Sequence, residues 1–174
     1  MEQKTKTKLA AVVGLDWANA KHDIQLLPDG GEKAEHSVIE HSPEALANWT
    51  DKLKKRFGDR ARIAVCVELA KGPVVYALQK HDIFVIIPIN PASLAQYRKA
   101  WAPSGAKDDP TDAWLLLDMF LAHPDRLKPL KPQSSEMKAM SQLVEIRRTL
   151  VEDRVRITNR MTAALKNYFP RVLG

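Results

Sequence analysis

Three stretches of this chain are almost continuously apolar and too short to be amphipathic helices: Leu9–Asp16, Arg62–Glu68 and Ile83–Ile87. Runs of that length, rich in β-branched residues, read as strands covered on both faces, the condition of a central sheet. Two of the three end in an acid, Asp16 and Glu68. Between them lie Lys21–Leu27, the turn Pro28-Asp-Gly-Gly31 and Lys33–Ile39, so the chain opens as a three-strand antiparallel meander.

Helices fill the remaining intervals. Ser42-Pro43 supplies an N-cap and a first-turn proline for a helix reaching about Gly58 on Leu46, Trp49 and Leu53. The strand at 62–68 is then reached through a helix, which makes it parallel to the first. Gly72-Pro73 opens a short helix carrying Val74, Val75 and Leu78. Asn90-Pro91 leads into another containing Leu94 and Tyr97, and Thr111 to about Ala122 reads as a mostly apolar helix. A proline-rich connector divides the chain into 1–123, 124–133 and 134–174.

Past the connector, Ser134-Ser135 caps a segment without Gly or Pro as far as Phe169. Met137, Met140, Val144, Val151, Val155, Thr158, Thr162, Leu165 and Phe169 recur at threes and fours, a seam suited to a partner helix. This predicts a coiled-coil-like helix and a homo-oligomer formed through it. Its other face is basic: Lys138, Arg147, Arg148, Arg154, Arg156, Arg160 and Lys166. Residues 134–174 hold eight Lys/Arg against four Asp/Glu, most of a formal net charge of +6. Such a face suits a phosphate backbone, with binding that falls as salt rises; a solvated coiled-coil face is the plainer reading.

Other classes fall away. The lone cysteine, Cys66, forms no intrachain disulfide, fits a reducing cytoplasm and, on an apolar strand, reads as core. The five histidines lack ligand spacing and most are expected at the surface, which argues against a zinc enzyme. No apolar run reaches the ~18 residues of a membrane span.

Meander, helix, strand, helix, strand, helices is the succession of the RNase H-like fold, whose acids come from the first strand, the fourth strand and a later helix. Asp16, Glu68 and the pair Asp109/Asp112 stand at those stations. Mg²⁺ is a hard cation that prefers carboxylate oxygen, and one or two such ions serve phosphoryl transfer. Each acid also has a purely structural reading. Asp16 and Glu68 could simply end strands, while Asp109-Pro110-Thr111-Asp112 has the form of a helix start, with Asp109 as cap and Asp112 favoured by the helix dipole. Asp108 could cap or bind, and Lys107 could neutralise the acids or meet a phosphate.

Four blocks then resemble a known family: Gly14-Leu-Asp-Trp-Ala-Asn-Ala-Lys-His-Asp-Ile24, Val67-Glu68 with Gly72 and Tyr76-Ala-Leu78, Ile89-Asn-Pro91, and Lys107-Asp-Asp-Pro-Thr-Asp-Ala113. They are similar to the DEDD-type insertion-sequence transposases, relatives of the Piv DNA invertase that include bridge-RNA-guided recombinases. The family's last block usually reads Lys-Thr-Asp-Arg-x-Asp-Ala; here Asp108 and Pro110 replace its Thr and Arg. The resemblance implies a RuvC-like domain with a mixed five-stranded sheet and Asp16, Glu68, Asp109 and Asp112 as a catalytic, metal-binding tetrad. It further implies Mg²⁺ or Mn²⁺, DNA as substrate, and a guide RNA bound partly by the basic helix. The family's C-terminal domain with a nucleophilic serine is absent from these 174 residues, so the chain looks like an N-terminal fragment or a natural truncation.

The leading expectation is therefore a domain for metal-dependent DNA strand cleavage and transfer. Two alternatives stand beside it: a self-sufficient RNase H-like nuclease such as a junction resolvase, and a non-catalytic nucleic-acid-binding or dimerisation module.

Overall fold

A computed structural model describes residues 8–68, 70–101, 109–131 and 134–168, with the backbone alone at 109–111, 135 and 138. The chain divides into two compact units, Met1–Leu130 and Lys131–Gly174.

The first unit is an RNase H-like α/β fold around a five-stranded sheet ordered β3-β2-β1-β4-β5. The strands are β1 (Ala11–Trp17), β2 (Lys21–Pro28), β3 (Glu35–Glu40), β4 (Ile63–Val67) and β5 (Phe84–Pro88). β1 pairs antiparallel with β2 and parallel with β4, so the meander and the crossover meet at the central strand. β2–β3 is antiparallel and β4–β5 parallel. The helices are α1 (Pro43–Phe57), α2 (Pro73–Leu78), α3 (Pro91–Trp101) and α4 (Asp109–Ala122).

Side chains alternate across the sheet, so each strand feeds two cores. Val13, Leu15, Ile24, Ile63 and Val65 pack with Trp49 and Leu53 of α1 and Val74, Val75 and Leu78 of α2. Val12, Ala64, Cys66 and Ile87 pack on the other face with Leu94 of α3 and Leu115, Leu116, Leu117 and Phe120 of α4. With helices on both faces, β4 and all of β1 up to Asp16 are apolar, which is why those runs stood out. Cys66 is fully buried, and burial pushes its thiol well above the ordinary range, as a core residue requires.

Local signals behave as their chemistry dictates. Ser42 Oγ accepts from the Ala45 amide at 3.0 Å, and Gly58, at φ 91°, ends α1 in a conformation other residues resist. The proline-rich segment after α4 is pinned to the sheet rather than loose: the Leu130 amide donates to the Ile86 carbonyl at 2.7 Å, and Leu127 and Leu130 pack against opposite cores.

One contact sets the geometry that follows. α4 lies so close to β1 that a Cβ on Gly14 would stand 2.0 Å from the Ala113 carbonyl oxygen and 2.8 Å from the Leu117 nitrogen. Only a residue without a side chain lets a helix backbone rest on a strand backbone.

The second unit carries α5 (Ser135–Tyr168), 34 residues long. Ser134 Oγ accepts from the Met137 amide at 3.3 Å at its start. Met140, Leu143, Val144, Ile146, Leu150, Val155, Ile157 and Met161 are each half or more exposed. Leu143, Ile146, Leu150, Ile157 and Met161 form a second apolar row beside the seam anticipated from sequence. Phe169, expected at the end of that seam, lies outside the described residues. Among the described residues no helix is long and apolar enough to cross a membrane.

Candidate functional site

The parallel register of β1 and β4 ends on Leu15 beside Val67. The next residues are Asp16, still within β1, and Glu68, just past the end of β4, at the carboxyl ends of two neighbouring parallel strands, where α/β sheets commonly bind ligands. Asp16, within β1, belongs to the face that α4 covers, since Val12 and Gly14 point that way, and Glu68 follows directly on β4, whose Ala64 and Cys66 point to the same face. Asp16 is 8% exposed and Glu68 is half-buried.

The third acid arrives through Gly14. Because Ala113 rests on that glycine, Asp112, one residue earlier, is carried to the same face of the sheet and is 2% exposed. A carboxylate so far from water needs a partner. Arg98 of α3 supplies it, with Nε at 2.9 Å and Nη2 at 2.6 Å from Oδ1 of Asp112. α3 is keyed to α4 nearby: the Tyr97 hydroxyl donates to Asp118 Oδ2 at 2.6 Å, and the Trp101 and Trp114 rings meet edge to face at 5.9 Å. Burial first, and then the Asp118 carboxylate, raise the Tyr97 pKa above the ordinary phenol range.

Asp109 is the first residue of α4, three positions before Asp112 on the same helical turn. The side chain of Asp109, and Lys107 and Asp108 altogether, lie outside the described residues. Among the described residues, no three of His, Cys, Asp or Glu come together as a group that could hold a metal. The donors brought to this face are nonetheless carboxylate oxygens, the chemistry that a hard divalent cation selects.

Two residues at this face escaped the sequence reading. Asp23 on β2 sits directly opposite Asp16 and is 2% exposed, with His36 Nε2 at 3.1 Å and Lys21 Nζ at 3.8 Å. Like charges facing each other across a ladder repel; the Lys21 ammonium offsets part of that, and His36 adds a hydrogen bond to Asp23. The signal was available, because a two-residue turn at Asn19-Ala20, closed by the Ala18 amide on the Lys21 carbonyl at 3.1 Å, sets Asp23 against Asp16. Arg98 carried no such signal: an arginine in the last turn of a helix is ordinary, and its partner is fourteen residues away.

On the opposite face, His22 is buried rather than superficial. Its Nε2 meets His41 Nδ1 at 3.0 Å, while its own Nδ1 has no partner among the described residues. Burial, then the neighbouring His41, hold its pKa below the ordinary histidine value, against a smaller upward pull from Asp23.

The anticipated basic face occupies α5. Arg148 is paired within the helix to Glu145 at 3.1 Å and Glu152 at 3.7 Å, and Arg156 to Asp153 at 2.6 Å. Arg147, Arg154, Arg160 and Lys166 are exposed, and no described side chain pairs with them.

Comparison with known proteins agrees with this order of elements. The family model described as Transposase, DEDD_Tnp_IS110, matches residues 13–170. The chain is 32% identical over 165 residues to "Putative transposase y4uE" of Sinorhizobium fredii, covering 92% of this chain and 45% of that protein. It is 28% identical over 166 residues to the "Mini-circle putative transposase for IS117" of Streptomyces coelicolor, covering 95% of this chain and 40% of that protein. It thus spans less than half the length of either relative. Every described strand but the opening residues of β1, every helix, and both strand-end acids fall within the matched region, and the chain belongs to the DEDD-type insertion-sequence transposase family.

Proposed function

We propose that this chain is the RuvC-like catalytic unit of a DNA recombinase, in which Asp16, Glu68, Asp109 and Asp112 hold one or two Mg²⁺ or Mn²⁺ ions. The observation that carries the reading is the rest of Ala113 on Gly14, which brings a buried helix carboxylate to the face where two parallel strands end in acids. Bound there, divalent ions supply Lewis-acid polarisation of a scissile phosphate and stabilise the charge that develops on it. The protein's part is to hold the carboxylates on rigid elements, exclude bulk water from their buried sides and keep α4 in register with β1.

In this scheme residues 1–123 carry the chemistry, 124–133 connect, and 134–174 engage nucleic acid and a second copy. Arg147, Arg154, Arg160 and Lys166 meet phosphates of DNA and of a guide RNA; Arg148 and Arg156 join by leaving their intrahelical acids, and Lys107 contacts phosphate beside the tetrad. The apolar rows of α5 join two copies. A serine nucleophile for strand transfer comes from a further domain of the whole recombinase, and the protein acts in the cytoplasm, where its DNA is.

The test is thermal melting with and without millimolar Mn²⁺. An ion at ten times its Kd adds about 1.4 kcal/mol, several degrees of Tm for a domain of this size. The wild-type chain gains that increment, while Asp16→Asn and Asp112→Asn lose it. Equal behaviour of all three refutes the metal site.

A further inference from the structure

Arg98 has a feature that its charge alone does not explain. A guanidinium usually meets a carboxylate fork to fork, one nitrogen to each oxygen. Here both Nε and Nη2 fall on Oδ1 of Asp112, at 2.9 and 2.6 Å, rather than one on each oxygen. The arginine side chain is 19% exposed and the carboxylate 3%, so water does little to loosen the pair. α3 is itself braced on α4 by Tyr97–Asp118 and Trp101–Trp114, so Arg98 approaches from a fixed direction. The two nitrogens thus converge on one carboxylate oxygen.

We propose that Arg98 is a positioning residue for the divalent cation: by holding Oδ1 it fixes the side-chain torsion of Asp112 and presents Oδ2 as a metal ligand. The inference rests on the metal-binding reading above and assigns a role to a residue outside the tetrad. The charge balance favours it. Four carboxylates carry four negative charges, and a single divalent ion leaves two uncompensated; one permanent cation beside them lowers that repulsion. Arg98 and a metal ion therefore share Asp112, one on each oxygen, rather than compete for it. Removing an orienting partner of a metal ligand typically weakens metal binding by about 10- to 100-fold.

The experiment is calorimetric titration of Mn²⁺ alone into the 174-residue chain, for wild type, Arg98→Gln, Arg98→Lys and Asp112→Asn, with metal-free melting curves recorded in parallel. Arg98→Gln is expected to weaken Mn²⁺ binding by about tenfold or more. Arg98→Lys, which keeps the charge but brings a single nitrogen, is expected to fall between Gln and wild type. It also keeps the test decisive should the Gln variant fold poorly. Unchanged or tighter Mn²⁺ binding in both Arg98 variants overturns the proposal, tighter binding marking Arg98 as a competitor. If wild type binds no Mn²⁺, or Asp112→Asn binds it equally well, the metal reading itself fails and this proposal with it. Dependence on Asp112 without dependence on Arg98 sinks the positioning role alone.

Discussion

The two units of this chain solve opposite problems. In the first, apolar side chains are sealed between helices and sheet, and the charges among them, Asp16, Asp23 and Asp112, are few and buried. In the second, charges are abundant and exposed, and two apolar rows of α5 lie open along a single helix. The first unit can be stable through its own contacts. An isolated helix of this kind draws its stability from whatever covers its apolar rows. The comparison teaches how differently the two are held: the first by its own tertiary packing, while the second leaves its apolar rows uncovered among the described residues.

The largest effect that would sharpen this contrast is at Gly14. A methyl group there overlaps the Ala113 carbonyl, a backbone atom that cannot rotate away, so Gly14→Ala must lift α4 from β1. A loss of about 3 kcal/mol or more is expected, beyond the usual overpacking cost, read as a drop in denaturant midpoint. An unchanged midpoint would show that α4 rests on β1 less rigidly than this contact implies.

Next comes the same substitution made once in each unit. Leu116→Ala, at a position 0% exposed, is expected to cost about 2–5 kcal/mol in transfer and cavity terms. Leu150→Ala, at 63% exposure, is expected to change stability by about 0.5 kcal/mol or less in dilute solution. At tens of micromolar the Leu150 change should instead lower the mass seen by light scattering, if α5 joins two copies. Equal effects of the two substitutions in dilute solution would erase the distinction between the units.

The smallest effect belongs to His22. Its folded pKa lies below the ordinary value of 6.5, so in the window just beneath that value the unfolded chain binds a proton that the folded chain resists. Stability from this residue is therefore complete above the window and declines as pH falls through it. Acid melts of His22→Gln should show a shallower decline between neutral pH and pH 5; an identical slope would place the acid sensitivity elsewhere.

Much of this was legible in the sequence. Covered strands announce themselves by continuous apolar runs, and Ser42-Pro43, Gly72-Pro73 and Asn90-Pro91 mark helix starts by the chemistry of their first turns. Asp16, Glu68 and Asp112 could be singled out because strand ends and a helix start are local features. What the sequence did not yield depends on pairings between elements. Asp23 gains its meaning from the residue across the ladder, and Arg98 from a carboxylate on the next helix. The burial of His22 was not legible because it stands in a run of three polar residues, Lys21-His22-Asp23, which does not say that the end of a strand is roofed over. The second row on α5 was passed over because apolar residues one position apart look like noise until the helix is built.

The contact at Gly14 has one more consequence. The separation of strand and helix at that point is set by main chain against main chain, with no side chain between to change size. Leucines elsewhere in α4 can be exchanged for larger or smaller neighbours, and the resulting shifts must pivot about this contact. Asp112 lies next to the pivot, so its height above Asp16 is the quantity least altered as the surrounding core drifts in sequence.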